Sequence, residues 1–283
     1  MKRGVSIFAF ILLPLLTMAQ SIVYEKDDSI AIENILHRHS PDKYKECGEL
    51  AIAIAREFID SKYVAGTLEN GQEEPLYISC SKLDCTTFVE LVIALTLSIR
   101  QEEPCFATVC SSLEKIRYRE GCRKGYESRL HYTSWWTEDN TAKGIIEEVT
   151  TDTRNKHRRF DLNFMSTHPD NYAMLKSDTA MQGRIAELER PFCGISVPYI
   201  PKELLNEKKS SLKIKDGDII ALVTTIDGLD VSHIGFAFWR NEKLHLLHAS
   251  SGKGKVIEDH VTLFDYLKNK SKQCGIRVIR IRK

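Results

Sequence analysis

From Phe88 to Ile99 the chain is apolar at every position except Glu90, Thr96 and Ser98. A helical bilayer span needs about 20 apolar residues, so the run is too short to cross a membrane. It stops at Arg100-Gln101-Glu102-Glu103-Pro104, a charged stretch closed by a helix-breaking proline. The pattern predicts a buried central helix with Cys85, in Leu83-Asp84-Cys85-Thr86-Thr87, at its first turn. Unpaired backbone N–H groups and the positive end of the helix dipole would face the sulfur there. Such a position favours thiolate, the nucleophilic form. A lone cysteine is more often a small buried hydrophobe, so catalysis requires activating partners elsewhere.

Apolar positions at helical spacing predict further helices over 28–39, 43–62, 106–118, near 170–189 and over 261–268. In the second, Leu50, Ala51, Ile54, Ala55, Phe58 and Ile59 share a face, and Gly66 follows as a breaker. Beyond Leu212 the pattern changes. Apolar runs at 219–225, 234–239, 244–249 and 276–281 read as strands, some separated by Asp227-Gly228 and Arg240-Asn241-Glu242. Helices first and meandering strands last indicate an α+β domain with the central helix packed on an antiparallel sheet.

The N-terminus adds a leader. Met1-Lys2-Arg3 precedes an apolar run from Gly4 to Leu16, then Thr17-Met18-Ala19, the pattern of a secretory signal peptide cleaved after Ala19. Removing 1–19 takes Lys2 and Arg3 and no acid, moving the formal charge from +1 to −1. A near-neutral chain has no electrostatic case for nucleic acid. No later segment reads as an integral membrane span. Residues 20–283 are expected to form one domain, periplasmic or secreted. The eight cysteines, at 47, 80, 85, 105, 110, 122, 193 and 274, match no zinc spacing. If Cys85 is a free thiol, at least one other cysteine is also unpaired.

Candidate chemistry lies in two places. The stretch 118–136 is the densest cluster of cations, aromatics and histidine in the chain. Arg129, His131, Tyr132, Trp135 and Trp136 are expected to line a substrate groove, the tryptophans stacking on sugar and the arginine holding carboxylate. The alternative is a surface loop whose tryptophans tuck into the core. The second place is the strand region. His233, in Ser232-His233-Ile234-Gly235, and His248, in Leu247-His248-Ala249-Ser250, can meet across adjacent antiparallel strands, and His245 has the opposite parity. Imidazole suits proton transfer near neutral pH, and a base needs a third group to orient it.

Asp84-Cys85 heading an apolar helix, the His233-Ile234-Gly235 strand, Leu247-His248-Ala249-Ser250, and Tyr63 with Gly66 together resemble the NlpC-type papain-like cell-wall cysteine hydrolases. The extended Leu83-Asp84-Cys85-Thr86-Thr87-Phe88-Val89-Glu90 and Ser128-Arg129-Leu130-His131-Tyr132 are more similar to a secreted group described as N-acetylmuramoyl-L-alanine amidase-like. The resemblance implies a papain-like core over about 50–100 and 212–283, with an insertion at about 101–211. It implies Cys85 as nucleophile, His233 as base, His248 as orienting partner and Tyr63 near the reacting carbonyl, with no metal and no cofactor. The implied partner is peptidoglycan or a muropeptide, cut between N-acetylmuramic acid and L-alanine. The alternatives are a γ-D-glutamyl-diamino-acid endopeptidase on stem peptides, or a non-catalytic wall-binding module. A metal hydrolase using Cys85, His233 and His248 lacks a local zinc spacing.

Overall fold

The computed structural model describes residues 21–69, 73–150 and 154–282, so the leader expected over 1–19 lies outside the described residues. The architecture is mixed α+β. Helices α1 (Lys26–His39), α2 (Cys47–Arg56), α3 (Cys85–Ile99), α4 (Phe106–Arg117) and α5 (Thr133–Ala142) come early. The later ones are α6 (Phe164–Thr167), α7 (Thr179–Glu189), α8 (Lys209–Leu212) and α9 (Leu263–Lys268). The strands are β1 (Ile22–Val23), β2 (Lys62–Tyr63), β3 (Leu76–Tyr77), β4 (Lys82–Leu83), β5 (Ile146–Glu148), β6 (Lys156–Asp161) and β7 (Cys193–Pro201), then β8 (Ile219–Thr224), β9 (Val231–Arg240), β10 (Lys243–Ser250), β11 (Lys255–Glu258) and β12 (Gln273–Ile281). Among the described residues β1 pairs with β3, and the rest form one sheet in the order β4-β2-β11-β10-β9-β8-β12-β7-β6, with β5 also on β12.

The central helix forms where the apolar run predicts it. Asp84 caps α3: its carboxylate accepts from the Thr87 amide at 2.8 Å, and the Thr87 hydroxyl accepts from the Asp84 amide at 2.9 Å. Phe88 then meets Phe58 of the α2 end and Phe236 of β9 edge-on, at 6.2 and 5.7 Å. This seats α3 on one face of the sheet. The opposite face is closed by Leu263 and Leu267 of α9 against Leu244 and Leu246 of β10.

Three expectations are corrected. The helix expected over 43–62 is α2, ending at Arg56, because Lys62 pairs instead with Lys255 of β11 and Lys82 of β4. The sequence region 101–211 is not a mere decoration: β5 and β7 pair with β12, and β6 extends the sheet beyond them. Strand β11 was not expected; it closes the β10 edge next to the histidines.

Glu90, the one charge in the apolar run, is 2 % exposed and meets the Arg117 Nε of α4 at 2.7 Å. Arg117 also donates to the Tyr77 carbonyl at 2.7 Å. Burial pushes the Glu90 carboxyl up while the guanidinium opposes the shift. A charge left alone in such a place is costly, whereas removing both can be neutral. Arg117→Met should therefore cost about 3–5 kcal/mol in urea unfolding. The double variant Glu90→Leu/Arg117→Met should recover much of that loss, and a double variant no better than the single would show that the pair is more than mutual compensation.

Candidate active site

Cys85 opens α3, partly exposed. Its sulfur lies 4.0 Å from the Thr86 hydroxyl and accepts from the backbone of Ile234 and Thr86. Ile234 immediately follows His233, so one peptide unit of β9 links the thiol's neighbour to the imidazole. A bulge sits there: Leu222 of β8 faces His233, but Val223 faces Val231, leaving Ser232 unpaired. Bulges of this kind re-aim the next side chain.

His233 Nε2 lies 2.6 Å from His248 Nδ1 on β10, with the rings near-perpendicular. His248 is fully buried, and its Nε2 faces the Asp259 carboxylate at 3.6 Å. The strands approach closely at this point. A Cβ at Gly235 would stand 2.8 Å from the His248 Cβ and from the Leu247 carbonyl, so only glycine admits the pair. His245 lies on the other face, stacked on Phe238 at 5.3 Å. The arrangement leaves His233 Nδ1 as the nitrogen not turned to His248.

Tyr63 of β2 completes the set. Burial and the nearby Cys85 and Asp84 push its phenol up to about 12. Its amide donates to the Gly254 carbonyl at 2.9 Å, tying it to the turn between β10 and β11. On the histidine side of that turn lies a cleft of about 480 Å³, lined by His233, His248, Asp259, Lys253, Lys270 and Gln273 among others. Among the described residues no group of three or more His, Cys, Asp or Glu side chains is placed to hold a metal ion.

The electrostatics differ from the expected thiolate. Burial, then the charge of Asp84, pushes the Cys85 thiol up to about 11, against the opposing hydrogen bonds from Ile234 and Thr86. The carboxylate that caps α3 thus offsets the dipole that would have ionised the sulfur. Burial lowers His233 to about 3, helped by His248 and Lys270. Burial also lowers His248 to about 4, although Asp259 pulls the other way. Burial therefore favours the neutral form of the thiol and of both imidazoles.

The other five candidates fall elsewhere. Trp135 and Trp136 are 1 % and 5 % exposed on α5, Trp135 packed against Tyr132 at 4.9 Å and Phe192 at 6.2 Å. Arg129 is buried and bound by Glu69 at 2.5 Å, the Leu68 carbonyl at 2.8 Å and Glu74 at 3.6 Å. The Tyr132 hydroxyl donates to Glu189 at 2.6 Å. These four are core and frame, not groove, because their polar ends already have protein partners or their rings are enclosed. His131, with Tyr132 and Trp136, reaches toward the start of α3. It lines a cavity of about 30 Å³ with Thr86 and Ile234, and its Nε2 meets the Tyr126 carbonyl at 2.9 Å. That space is too small for a sugar. Burial lowers His131 well below the ordinary imidazole range.

Asp259 was not foreseen. It follows β11, and without that strand nothing in the sequence sets it beside His248.

Residues 53–276 match the family described as AmiA-like, N-acetylmuramoyl-L-alanine amidase-like. A crystal structure of a N-acetylmuramoyl-L-alanine amidase from Bacteroides uniformis shares 39 % identity, covering 84 % of this chain and 99 % of that one, with a TM-score of 0.79. A Bacteroides fragilis protein provisionally named a xylanase shares 41 % identity over 81 % of this chain and 100 % of its own, at a TM-score of 0.77. A Legionella pneumophila protein, 24 % identical over 91 % of this chain and 95 % of its own, shares the fold at 0.69. Among curated proteins none matches.

Two measurements test this description. The rate of Cys85 alkylation by iodoacetamide should climb about tenfold per pH unit from pH 7 to 9, because a thiol titrating near 11 is still mostly protonated there. A rate already flat from pH 6 would mean a preformed thiolate. Trp135→Ala should cost about 3–5 kcal/mol of stability, as for other large-to-small core changes. Wild-type stability with a changed KM would return that ring to the substrate groove.

Proposed function

We propose, for a chain that belongs to the N-acetylmuramoyl-L-alanine amidase-like family, a cysteine-dependent hydrolysis of peptidoglycan at the bond between N-acetylmuramic acid and L-alanine, on an NlpC-type papain-like core. The observation that carries it is the convergence on β9: the Cys85 sulfur on the Ile234 amide, and the His233–His248–Asp259 series starting one residue away. The place of action we propose is the periplasm or the cell surface, where this substrate lies.

The neutral groups define the step. As the sulfur attacks the amide carbonyl, its proton passes to His233 Nδ1. His248 and Asp259 hold the ring and favour the imidazolium as it forms. The Cys85 amide, at the first turn of α3, is the donor for the developing oxyanion, with the Tyr63 hydroxyl beside it. Collapse expels the amine, which takes the proton from His233 and leaves a thioacyl enzyme. Water then attacks that thioester, giving its proton to His233, and the thiolate leaves and recovers a proton as free thiol. The products are a muramic lactyl carboxylate and a peptide with a free L-alanine amine.

Glycoside hydrolysis needs two carboxylates flanking the scissile bond. The cleft beside His233 offers only Asp259 among its described lining residues, and that group faces His248. This supports amide chemistry over a xylanase-like reaction.

Cys85→Ala and His233→Ala should each lower kcat on the order of 10⁶-fold while leaving a folded protein, as expected when nucleophile and base act as a unit. His248→Ala should retain more, and Asp259→Asn more still. Mass spectrometry of digested muropeptides reads both the loss and the bond cut. Release of γ-D-glutamyl-linked fragments instead of intact stem peptides would replace the amidase with the endopeptidase. Turnover by folded Cys85→Ala protein would end the cysteine mechanism, and an activity lost to a chelator but kept with iodoacetamide would install a metal.

A further inference from the structure

The arginine expected to meet a substrate carboxylate is buried and occupied, which leaves the question of what does. Two cations line the histidine cleft, Lys253 in the turn after β10 and Lys270 after α9. Their neighbours Lys255 and Lys268 are paired, with Asp60 at 2.6 Å and Asp265 at 2.7 Å. Among the described residues neither Lys253 nor Lys270 has a carboxylate partner. The Lys270 ammonium sits 3.8 Å over the Tyr266 ring, which itself meets His248 edge-on at 5.7 Å. The Lys270 backbone is pinned, its carbonyl accepting from Lys202 Nζ at 2.9 Å and its amide donating to Leu267 at 2.9 Å. Close enough to bear on both imidazoles, Lys270 is an anchored, uncompensated charge facing the base.

We propose that Lys253 and Lys270 bind a carboxylate of the leaving peptide, one residue beyond the scissile amide. The assignment rests on the amidase reading above. The group that protonates the leaving amine must lie on the leaving side of the bond, so the cleft running on from His233 receives the peptide and not the sugar. In a γ-linked stem the D-glutamyl residue after L-alanine carries a free α-carboxylate. One residue spans about 3.8 Å between Cα atoms, which places this anion within the same cleft. A cleft of about 480 Å³ is of the size that holds small ligands. Asp259, the one acid among the described lining residues, is turned to His248 and does not compete for the ammonium groups. Two ammonium groups select charge and not shape, so an amidated α-carboxyl is the discriminating competitor.

The test uses N-acetylmuramoyl-L-alanyl-γ-D-glutamyl-L-lysine and its α-amidated D-isoglutaminyl counterpart. Wild-type protein should prefer the free carboxylate by about tenfold in kcat/KM, the effect of one charge-assisted contact. Lys253→Met/Lys270→Met should abolish the preference, bringing the ratio of kcat/KM on the carboxylate to that on the amide down to about one, whatever the change in absolute rate. Lys268→Met, outside the cleft, should keep the full preference. Titration calorimetry with Cys85→Ala protein gives the same comparison without turnover, as a tenfold tighter Kd for the carboxylate that disappears when both lysines are replaced. Equal handling of the two ligands by wild-type protein, or a preference that survives the double lysine change, would overturn the subsite while leaving the amidase reading intact. Absence of cleavage of either ligand at the muramoyl bond would instead count against the amidase reading, and the binding comparison would still decide the subsite.

Discussion

The His248 Cβ and the Leu247 carbonyl occupy space that a side chain at residue 235 would need. The pairing of the two histidines depends on that close approach of β9 to β10. It brings Nδ1 of His248 to 2.6 Å from His233 and buries the second imidazole completely. A bulge at Ser232 shifts the β8–β9 register just before His233. The third residue of the His-Ile-Gly sequence is therefore a packing requirement of β9 against β10: Gly235 has no left-handed backbone to accommodate. The glycine, the bulge and the Asp84 cap fix three short segments, and Cys85, His233 and His248 ride on them.

The protein treats its buried charges in two opposite ways. Along the frame, charges are kept and matched: Glu90 with Arg117, Arg129 with Glu69 and Glu74, Arg277 with Glu148 at 2.8 Å. At the site, titratable groups are kept neutral by desolvation. Matched pairs hold geometry, since either partner alone would be strongly disfavoured. Neutral groups stay available, since the imidazole can accept a proton and the thiol can lose one without first breaking an ion pair. Arg129 belongs to the first class, which explains why the most cationic part of that stretch lies outside the histidine cleft.

Much of the fold was legible in the residues. The apolar run from Phe88 fixed the central helix because burial on all sides leaves no polar face to misread, and the spacing of His233 and His248 sufficed because strand parity is a period of two. The tryptophans were misplaced because composition records how sticky a side chain is, not which side of a helix it occupies; α5 turns both rings inward. Asp259 was out of reach because β11 is only Lys255–Glu258, too short to show an alternation. The middle region was taken for an addition because β7 exposes much of both faces and lacks the buried pattern of β8. The Asp84 carboxylate that caps α3 also raises the Cys85 thiol against the helix dipole, a contribution that the Asp-Cys motif by itself does not reveal.

Strand β12 lies in the interior of the sheet, between β8 and β7, although it follows both in sequence. Residues far apart in sequence must therefore meet before the sheet is continuous, a topology of high contact order that slows folding. During synthesis α3 and its thiol emerge early, while β8, β9 and β10 stay without their inner neighbour until residues 273–281 arrive. An incomplete chain would display the unpaired edge of β8, an aggregation hazard. The same ordering makes the polypeptide its own timer: Cys85 is in place on α3 long before the strands that carry His233 and His248 gain their inner neighbour.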